Sequence, residues 1–320
     1  MPQLSFVVPL YNEQDNFETL ISRLVALMNE LSVSSEVVLV NDGSSDNTAQ
    51  LMNELGLTDT RFQCVFLSKR HGHQLALTAG IKLARGTKAL MILDGDLQDP
   101  PELVKAFLLK LEDGFDVVYG VRKNRKESFL KKQAYWFYYR IMKNIANIEM
   151  PLDSGDFSLI SRKVADYINS MPEQNRYVRG MRSWIGFRQT GVAYERAPRH
   201  AGETKYSWKK LFELAYSGIF NFSNFPVKFI TRIGIFSILL SLFYIAAILI
   251  YKFILHGEVP TGFTTLIMAI VLFSGVQLIS LGVIGEYVLR IYQQVQNRPM
   301  FIIDKVIKDK QTIDGQELLP

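Results

Sequence analysis

Three aspartates fall within six positions of the stretch ALMILDGDLQDPPE, residues 89–102: Asp94, Asp96 and Asp99. Carboxylates this close repel one another unless a cation or hydrogen-bond donors sit among them. Asp94 and Asp96 are separated only by Gly95 and are followed by Gln98. Carboxylate and amide oxygens of this kind suit a hard cation, Mg2+ or Mn2+, which keeps positions open for phosphate oxygens. Asp94, Asp96 and Gln98 are therefore the candidate metal ligands. Asp99 carries a different expectation. DPPE reads as a helix start, with Asp99 as the cap and Pro100 or Pro101 in the first turn.

The elements that would position these side chains come next. Short apolar runs recur through the first 120 residues: LSFVV (4–8), EVVLV (36–40), CVFLS (64–68), ALMIL (89–93) and DVVYG (116–120). Amphipathic stretches separate them, and in the first Phe17, Leu20, Ile21, Leu24, Leu27 and Met28 share one helical face. Gly56, Gly86 and Gly114 stand where helices are expected to stop. Near-continuous apolar strands alternating with helices predict an α/β fold with a mostly parallel sheet covered on both faces. Each run is followed by a polar cluster: PLYNE, NDGSSDNT, KRHGHQ, DGDLQD and GVR. The carboxyl ends of parallel strands are where such sheets bind ligands. No G-x-G-x-x-G and no Walker A pattern occurs, so neither a dinucleotide nor a P-loop site is indicated. Asp42 could accept hydrogen bonds from a base or ribose, or serve as the turn residue of NDGS.

The second half has a different character. Residues 233–251 and 263–285 carry no charge, and each reaches the length of about 20 residues that crosses a bilayer core. The short connector KFILHGEVPTG predicts an antiparallel hairpin of two transmembrane helices. Lys228 and Arg232 precede the pair, and Arg290, Arg298, Lys305, Lys308 and Lys310 follow it, against Lys252 alone at the connector. The positive-inside bias then puts both termini in the cytoplasm, on the inner face of a bacterial plasma membrane. The expected organisation is a cytoplasmic catalytic domain over 1–210, an amphipathic juxtamembrane segment over 211–230, the spans within 231–290, and a cytoplasmic C-terminal tail over 291–320, of which 304–320 is expected to be polar and unstructured.

Composition agrees with such a layout. Thirty-six basic against 31 acidic residues give a formal charge of +5, suited to an anionic membrane surface or phosphate-bearing substrates as well as to nucleic acid. The single cysteine, Cys64, excludes an internal disulfide and lies in the apolar run RFQCVFLS, where an inert buried thiol is expected. The N-terminus lacks the pattern of a cleavable signal peptide. Residues 122–146 are strongly basic with interleaved aromatics. Arg122, Arg125, Lys131 and Lys132 are candidates for holding an anionic head group at the membrane surface; a solvated basic helix is the alternative.

VVPLYNE, NDGSSDNT, LDGDLQDPPE, YGVR and RGMRSWIGF together resemble the glycosyltransferase family 2 enzymes that glycosylate polyprenyl phosphates, over roughly residues 4–290. That group includes bactoprenol glucosyltransferases, aminoarabinose transferases and dolichol-phosphate mannose synthases. The resemblance implies a GT-A fold, a nucleotide-diphosphate sugar donor such as UDP-glucose, and a polyprenyl phosphate acceptor such as undecaprenyl phosphate. It implies that Pro9, Tyr11, Glu13, Asp42 and Asp94 hold the nucleotide sugar and that Asp94 and Asp96, with Gln98, hold the divalent ion. It also implies that Arg122 approaches phosphate and that Asp156, in DSGDFSLISR, lies near the reaction centre. Asp156 could orient the attacking phosphate, act as a base, or merely cap a helix.

A phosphate monoester has a second pKa of about 6, so it needs positioning and charge neutralisation more than deprotonation. One in-line displacement at the anomeric carbon inverts its configuration, and no Ser-His-Asp or Cys-His arrangement suggests an enzyme nucleophile. Two other readings stay open. A processive polysaccharide synthase would carry Q-x-x-R-W and more spans, whereas here Ser183 separates Arg182 from Trp184. A non-catalytic nucleotide-binding scaffold would not need the intact Asp94–Asp96 pair. No nucleic-acid partner is expected, and a homo-oligomer is compatible with the sequence.

Overall fold

The computed structural model describes residues 1–123, 154–195, 225–254 and 262–318. The chain divides into two compact units: one carries the sheet and the residues from Pro299 onward, the other the long helices up to Arg298.

The sheet forms around its most apolar strands. β1 (Leu4–Leu10), β2 (Ser35–Asn41) and β3 (Phe62–Leu67) are buried almost throughout. Strands apolar on both faces belong in the middle of a covered parallel sheet. β1 lies between β2 and β4 (Ala89–Ile92), with Leu4 opposite Ser35 on one side and Ala89 on the other; β3 continues the parallel set beside β2. With β5 (Val117–Lys123), β6 (Ser154–Ser161), β7 (Gln189–Glu195), β8 (Ile303–Lys308) and β9 (Gln311–Asp314), the sheet has nine strands among the described residues, in the order β7-β5-β6-β4-β1-β2-β3-β8-β9. β6 enters antiparallel between β4 and β5, and β7 runs parallel to β5. The four-stranded parallel centre is thus joined on both flanks by antiparallel strands.

The helices cover this centre. α1 (Gln14–Glu30) buries Phe17, Leu20, Leu24, Leu27 and Met28, with Ile21 at the margin of the core. α2 (Thr48–Thr58) runs through Gly56, which was expected to stop it. A Cβ at Gly56 would lie 2.9 Å from Cγ2 of Ile307 and 3.2 Å from Sγ of Cys64, so the glycine serves close packing rather than termination. α3 (His73–Leu83) ends shortly before Gly86. α4 (Val104–Glu112) stops just before Gly114, whose φ of +85° suits a residue without a side chain. Further along, α5 (Arg162–Ser170) is capped by Ser161, which accepts from the Val164 N–H, and α6 (Val178–Trp184) follows.

The C-terminal residues correct the expectation of an unstructured tail. β8 (Ile303–Lys308) pairs antiparallel with β3, and β9 (Gln311–Asp314) pairs with β8. Asp309 and Lys310 both have positive φ, the backbone of a tight two-residue hairpin turn. Val306 and Ile307 are buried, and β8 closes the otherwise open edge of β3. Six residues carrying three charges gave little apolar signal for this strand.

In the second unit, α7 (Phe225–Phe253) and α8 (Phe263–Val295) contain the two uncharged stretches, and α8 continues past Gly285. Among the described residues one helical stretch, Thr265–Val295, is long and apolar enough to cross a membrane by length and composition. The basic segment 124–143 with Arg125, Lys131 and Lys132, the loop 199–210, the segment 211–224 and residues 255–261 of the connector lie outside the described residues.

Candidate active site

The loops behind β1 and β2 are knitted into one wall. Asn12, at φ 52°, donates its N–H to Oγ of Ser44 at 3.0 Å and accepts from the Ser45 N–H at 2.8 Å. The Glu13 N–H donates to Oγ1 of Thr48 at 3.0 Å. Pro9 is buried within β1 opposite Val40. The Arg70 guanidinium lies 4.0 Å from the centroid of the Tyr11 ring, a cation–π stack on that wall.

Asp42 is buried, and its carboxylate is already in use. Oδ1 accepts from the N–H groups of His71 at 2.7 Å and Gly72 at 3.0 Å, and Oδ2 lies 3.0 Å from the latter. These bonds fix the loop after β3, whose continuation presents His73 and Gln74 at the start of α3.

The acidic cluster sits at the end of β4. Gly95 lets the turn pack on β1, since a Cβ there would run into Leu10. Leu97 takes φ 59°, a left-handed conformation that is costly for a bulky side chain and marks a constrained turn. Within that turn the Gln98 N–H donates to Oδ1 of Asp96 at 3.2 Å, and Asp96 is buried.

Asp94, His73, Asp156 and Arg179 form a line of alternating charge. His73 Nε2 lies 3.6 Å from Asp94 Oδ1 and 3.5 Å from Asp156 Oδ2. Arg179 Nε, on α6, lies 3.7 Å from Asp156 Oδ1. Gln74 holds the middle of the line: its Nε2 donates to Asp156 Oδ2 at 2.9 Å, and its Oε1 accepts from the Val178 N–H at 2.8 Å. Asp156 lies on β6, which corrects the helix-cap alternative for it.

The titration of these groups follows from the arrangement. Burial and the carboxylates of Asp99, Asp96 and Asp156 push Asp94 up to about 6, against the pull of His73. Burial works in the same upward direction on Asp156, but the bond to His73 and the charges of Arg179 and Arg182 hold it well below the usual carboxylate range. For His73 burial opposes protonation, and the bond to Asp156 with the charges of Asp94, Asp156 and Asp42 outweighs it, giving about 9. The excess of negative charge around Asp94 is the condition a divalent cation would relieve. Among the described residues no group of three or more His, Cys, Asp or Glu side chains converges as a closed metal cage. Asp94 and Asp96 share the turn behind β4, and their carboxylate oxygens are of the type that could take part in holding a hard cation.

Arg122 stands at the end of β5 in a clamp of its own. Its Nε donates to the Tyr194 hydroxyl at 3.2 Å, its Nη2 lies 3.5 Å from Oδ2 of Asp99, and the same hydroxyl donates to Oδ1 of Asp99. This corrects the expectation for Asp99. Pro100 precedes the short helical turn Pro101–Leu103 with no side-chain cap, and Asp99 is instead the buried counter-ion of Arg122. Burial opposes the charge on Arg122, but Asp99 and Tyr194 hold its pKa above the ordinary value.

The structure therefore gathers Asp94, Asp96, Asp156 and Arg122 from three separate chain segments at the carboxyl end of the parallel strands. Sequence reasoning missed His73, Gln74, Arg179 and Tyr194. KRHGHQ and RGMRSW had marked the first three only as polar loops or family motifs; nothing local marked Tyr194.

Residues 5–168 match the family model described as glycosyl transferase family 2. The chain is 42% identical over 304 residues to the uncharacterized glycosyltransferase YkcC of Bacillus subtilis (strain 168), covering 95% of this chain and 94% of that protein. It is 35% identical over 304 residues to the SfII prophage-derived bactoprenol glucosyl transferase of Shigella flexneri, covering 95% and 98%. Among solved structures it is similar to S. aureus TarS 1-349 in complex with UDP-GlcNAc, with a TM-score of 0.47 and 18% identity over 69% of this chain and 67% of that one.

Proposed function

The chain belongs to glycosyl transferase family 2, and we propose that it transfers a hexose, with inversion, from a UDP-sugar such as UDP-glucose to the phosphate of a polyprenyl phosphate such as undecaprenyl phosphate. The observation that carries this reading is the ordered line Asp94–His73–Asp156–Arg179 beside the Arg122 clamp. Similarity along 95% of the chain to a protein named bactoprenol glucosyl transferase supports the lipid acceptor.

In this reading the wall containing Pro9, Tyr11, Glu13 and Asp42 receives the nucleotide, and Asp42 acts by fixing the loop that completes it. Asp94 and Asp96, with Gln98 at the turn, hold Mg2+ or Mn2+, which when bound offsets the charge of the leaving diphosphate. An oxygen of the acceptor phosphate attacks the anomeric carbon as the bond to the diphosphate breaks. The nucleoside diphosphate leaves, and the configuration inverts. No proton need move, because the acceptor is already mostly dianionic near neutral pH. Asp156, held well below the ordinary carboxylate range, is poorly matched to accept a proton and is assigned to positioning. Arg122 meets phosphate charge, with Arg125, Lys131 and Lys132 as further candidates for the lipid head group. Helices α7 and α8 cross the membrane as a hairpin with both termini in the cytoplasm, where nucleotide sugars are found.

The test is UDP release by the purified full-length protein in detergent, with UDP-glucose and Mg2+ or Mn2+, with and without undecaprenyl phosphate. Release should require both lipid and metal, yield one lipid-linked hexose, and vanish in Asp96→Asn and in excess EDTA. Lipid-independent release or a growing polymer would overturn the proposal.

A further inference from the structure

Arg182 is the largest of the fully buried side chains, at 1% exposure, yet among the described residues its Nε and Nη2 have no hydrogen-bond partner. A guanidinium removed from water with bonds unmade is costly, and in a native fold such a group calls for an explanation. Asp156 supplies a complementary orphan: its Oδ1 is buried and accepts no hydrogen bond from the described residues, with Arg179 Nε at 3.7 Å beyond bonding distance. Arg179 and Arg182 are three residues apart on α6 and so share a helix face. The Arg182 guanidinium also lies 5.6 Å from the Tyr119 ring centroid. The cluster reaches solvent on its far side, where Asp156 is 13% and His73 42% exposed.

The chemistry of the missing partner follows from having both kinds of orphan in one cluster, where Asp156 and Arg182 are near enough to act on each other's charge and Arg179, on the same helix face as Arg182, is 3.7 Å from Asp156 Oδ1. A phosphate dianion accepts hydrogen bonds but offers none to a carboxylate. A cation would face two guanidinium groups. A hydroxyl does both, donating to Oδ1 of Asp156 while accepting from an arginine. A hexose presents such hydroxyls in pairs, and this cluster is one histidine away from Asp94, where the diphosphate end of a donor would be held.

We infer that Arg182 and Oδ1 of Asp156 recognise a hydroxyl of the transferred sugar and so determine which sugar is accepted. This rests on the reading above that the donor is a UDP-sugar. The test compares wild type with Arg182→Gln in the full-length protein, measuring kcat/KM for UDP-glucose and for its monodeoxy analogues, with UDP inhibition as a control for an intact nucleotide site. In wild type at least one deoxy analogue should be poorer by about tenfold or more, as for a lost bond to a charged group. Arg182→Gln should lower kcat/KM for UDP-glucose similarly, leave UDP inhibition unchanged, and no longer discriminate against that analogue. Arg182→Lys, which keeps the charge and loses the fork, serves where the glutamine variant does not fold. Variants that rank the analogues as wild type does would show that the pocket holds only water and overturn the inference. Absence of any transfer from UDP-glucose by wild type would instead defeat the donor reading.

Discussion

The Tyr194 hydroxyl donates a hydrogen bond to Oδ1 of Asp99, 95 residues away, and so ties β7 to the turn behind β4. Arg122 is bonded to the same hydroxyl and lies against the other oxygen of Asp99. Phe157 packs against the Tyr194 ring with centroids 5.4 Å apart, and Gly120 leaves room, since a Cβ there would come within 2.6 Å of both rings. Arg122 is thus held by a tyrosine and a carboxylate that are themselves fixed.

Tyr194→Phe keeps the ring packing and removes the hydroxyl. Asp99 would then be buried with one partner fewer, a loss of about 1–3 kcal/mol. The thermal midpoint should fall. Turnover should fall as well, because Arg122 loses the bond that orients it, while UDP affinity stays near wild type. Arg122→Ala should show the same split more strongly, with turnover reduced and the acceptor KM raised. Calorimetric titration with UDP alongside kinetics against a short-chain polyprenyl phosphate decides this. A collapse of UDP affinity with normal acceptor kinetics would move Arg122 to the donor site.

Gln74 offers a second separation of roles. Its side-chain hydrogen bonds go to Asp156 and Val178, so it joins Asp156 on β6 to the start of α6. Gln74→Met has similar size and neither hydrogen bond. It should reduce kcat by about tenfold or more by letting Asp156 drift, with little change in UDP inhibition. Gln74→Glu should be worse, since it brings a second carboxylate to Asp156. Wild-type turnover in Gln74→Met would show that His73 and Arg179 suffice to place Asp156.

The parallel centre of the fold was legible because its strands are apolar on both faces, and the polar residues behind each strand stood out against them. The acidic turn that holds Asp94 and Asp96 stood out for the same reason. The flanking strands were not. β6 carries Asp156 in SGDFSLIS and reads as neither continuous nor alternating, and β8 is half charged. Asp99 misled because DPPE is a sound local signal for a capped helix. The tertiary contact with Arg122 and Tyr194 overrode it, and such a contact leaves no mark in a short window. His73 and Gln74 were in view as part of a polar loop, but their roles depend on β6 and α6, which approach them only in three dimensions.

Ile307 tests how far the C-terminal hairpin matters. Its side chain is fully buried and meets α2 at Gly56, between β3 and the helix layer. Ile307→Ala should cost about 2–5 kcal/mol and lower the thermal midpoint of the sheet unit. Deletion of residues 303–320 should do more, leaving the β3 edge unpaired and the protein prone to aggregate. A melting curve unchanged by Ile307→Ala would mean that β8 is dispensable to the sheet.

The proposed topology can be read out with a cysteine at Gly257, in the connector between α7 and α8. The native thiol does not interfere. Cys64 is fully buried, and burial pushes its pKa up to about 12, so at neutral pH it presents almost no thiolate and no access. In the wild-type protein an impermeant maleimide should label nothing in intact cells or in native membranes, and should label Cys64 only after denaturation. Gly257→Cys should add labelling in intact cells, because the basic flanks at Lys228, Arg232, Arg290 and Arg298 favour the cytoplasm and place the connector across the membrane. Labelling that appears only once native membranes are opened would invert the hairpin. That result would also separate the site from its cytosolic nucleotide sugar, so the orientation and the proposed donor stand together.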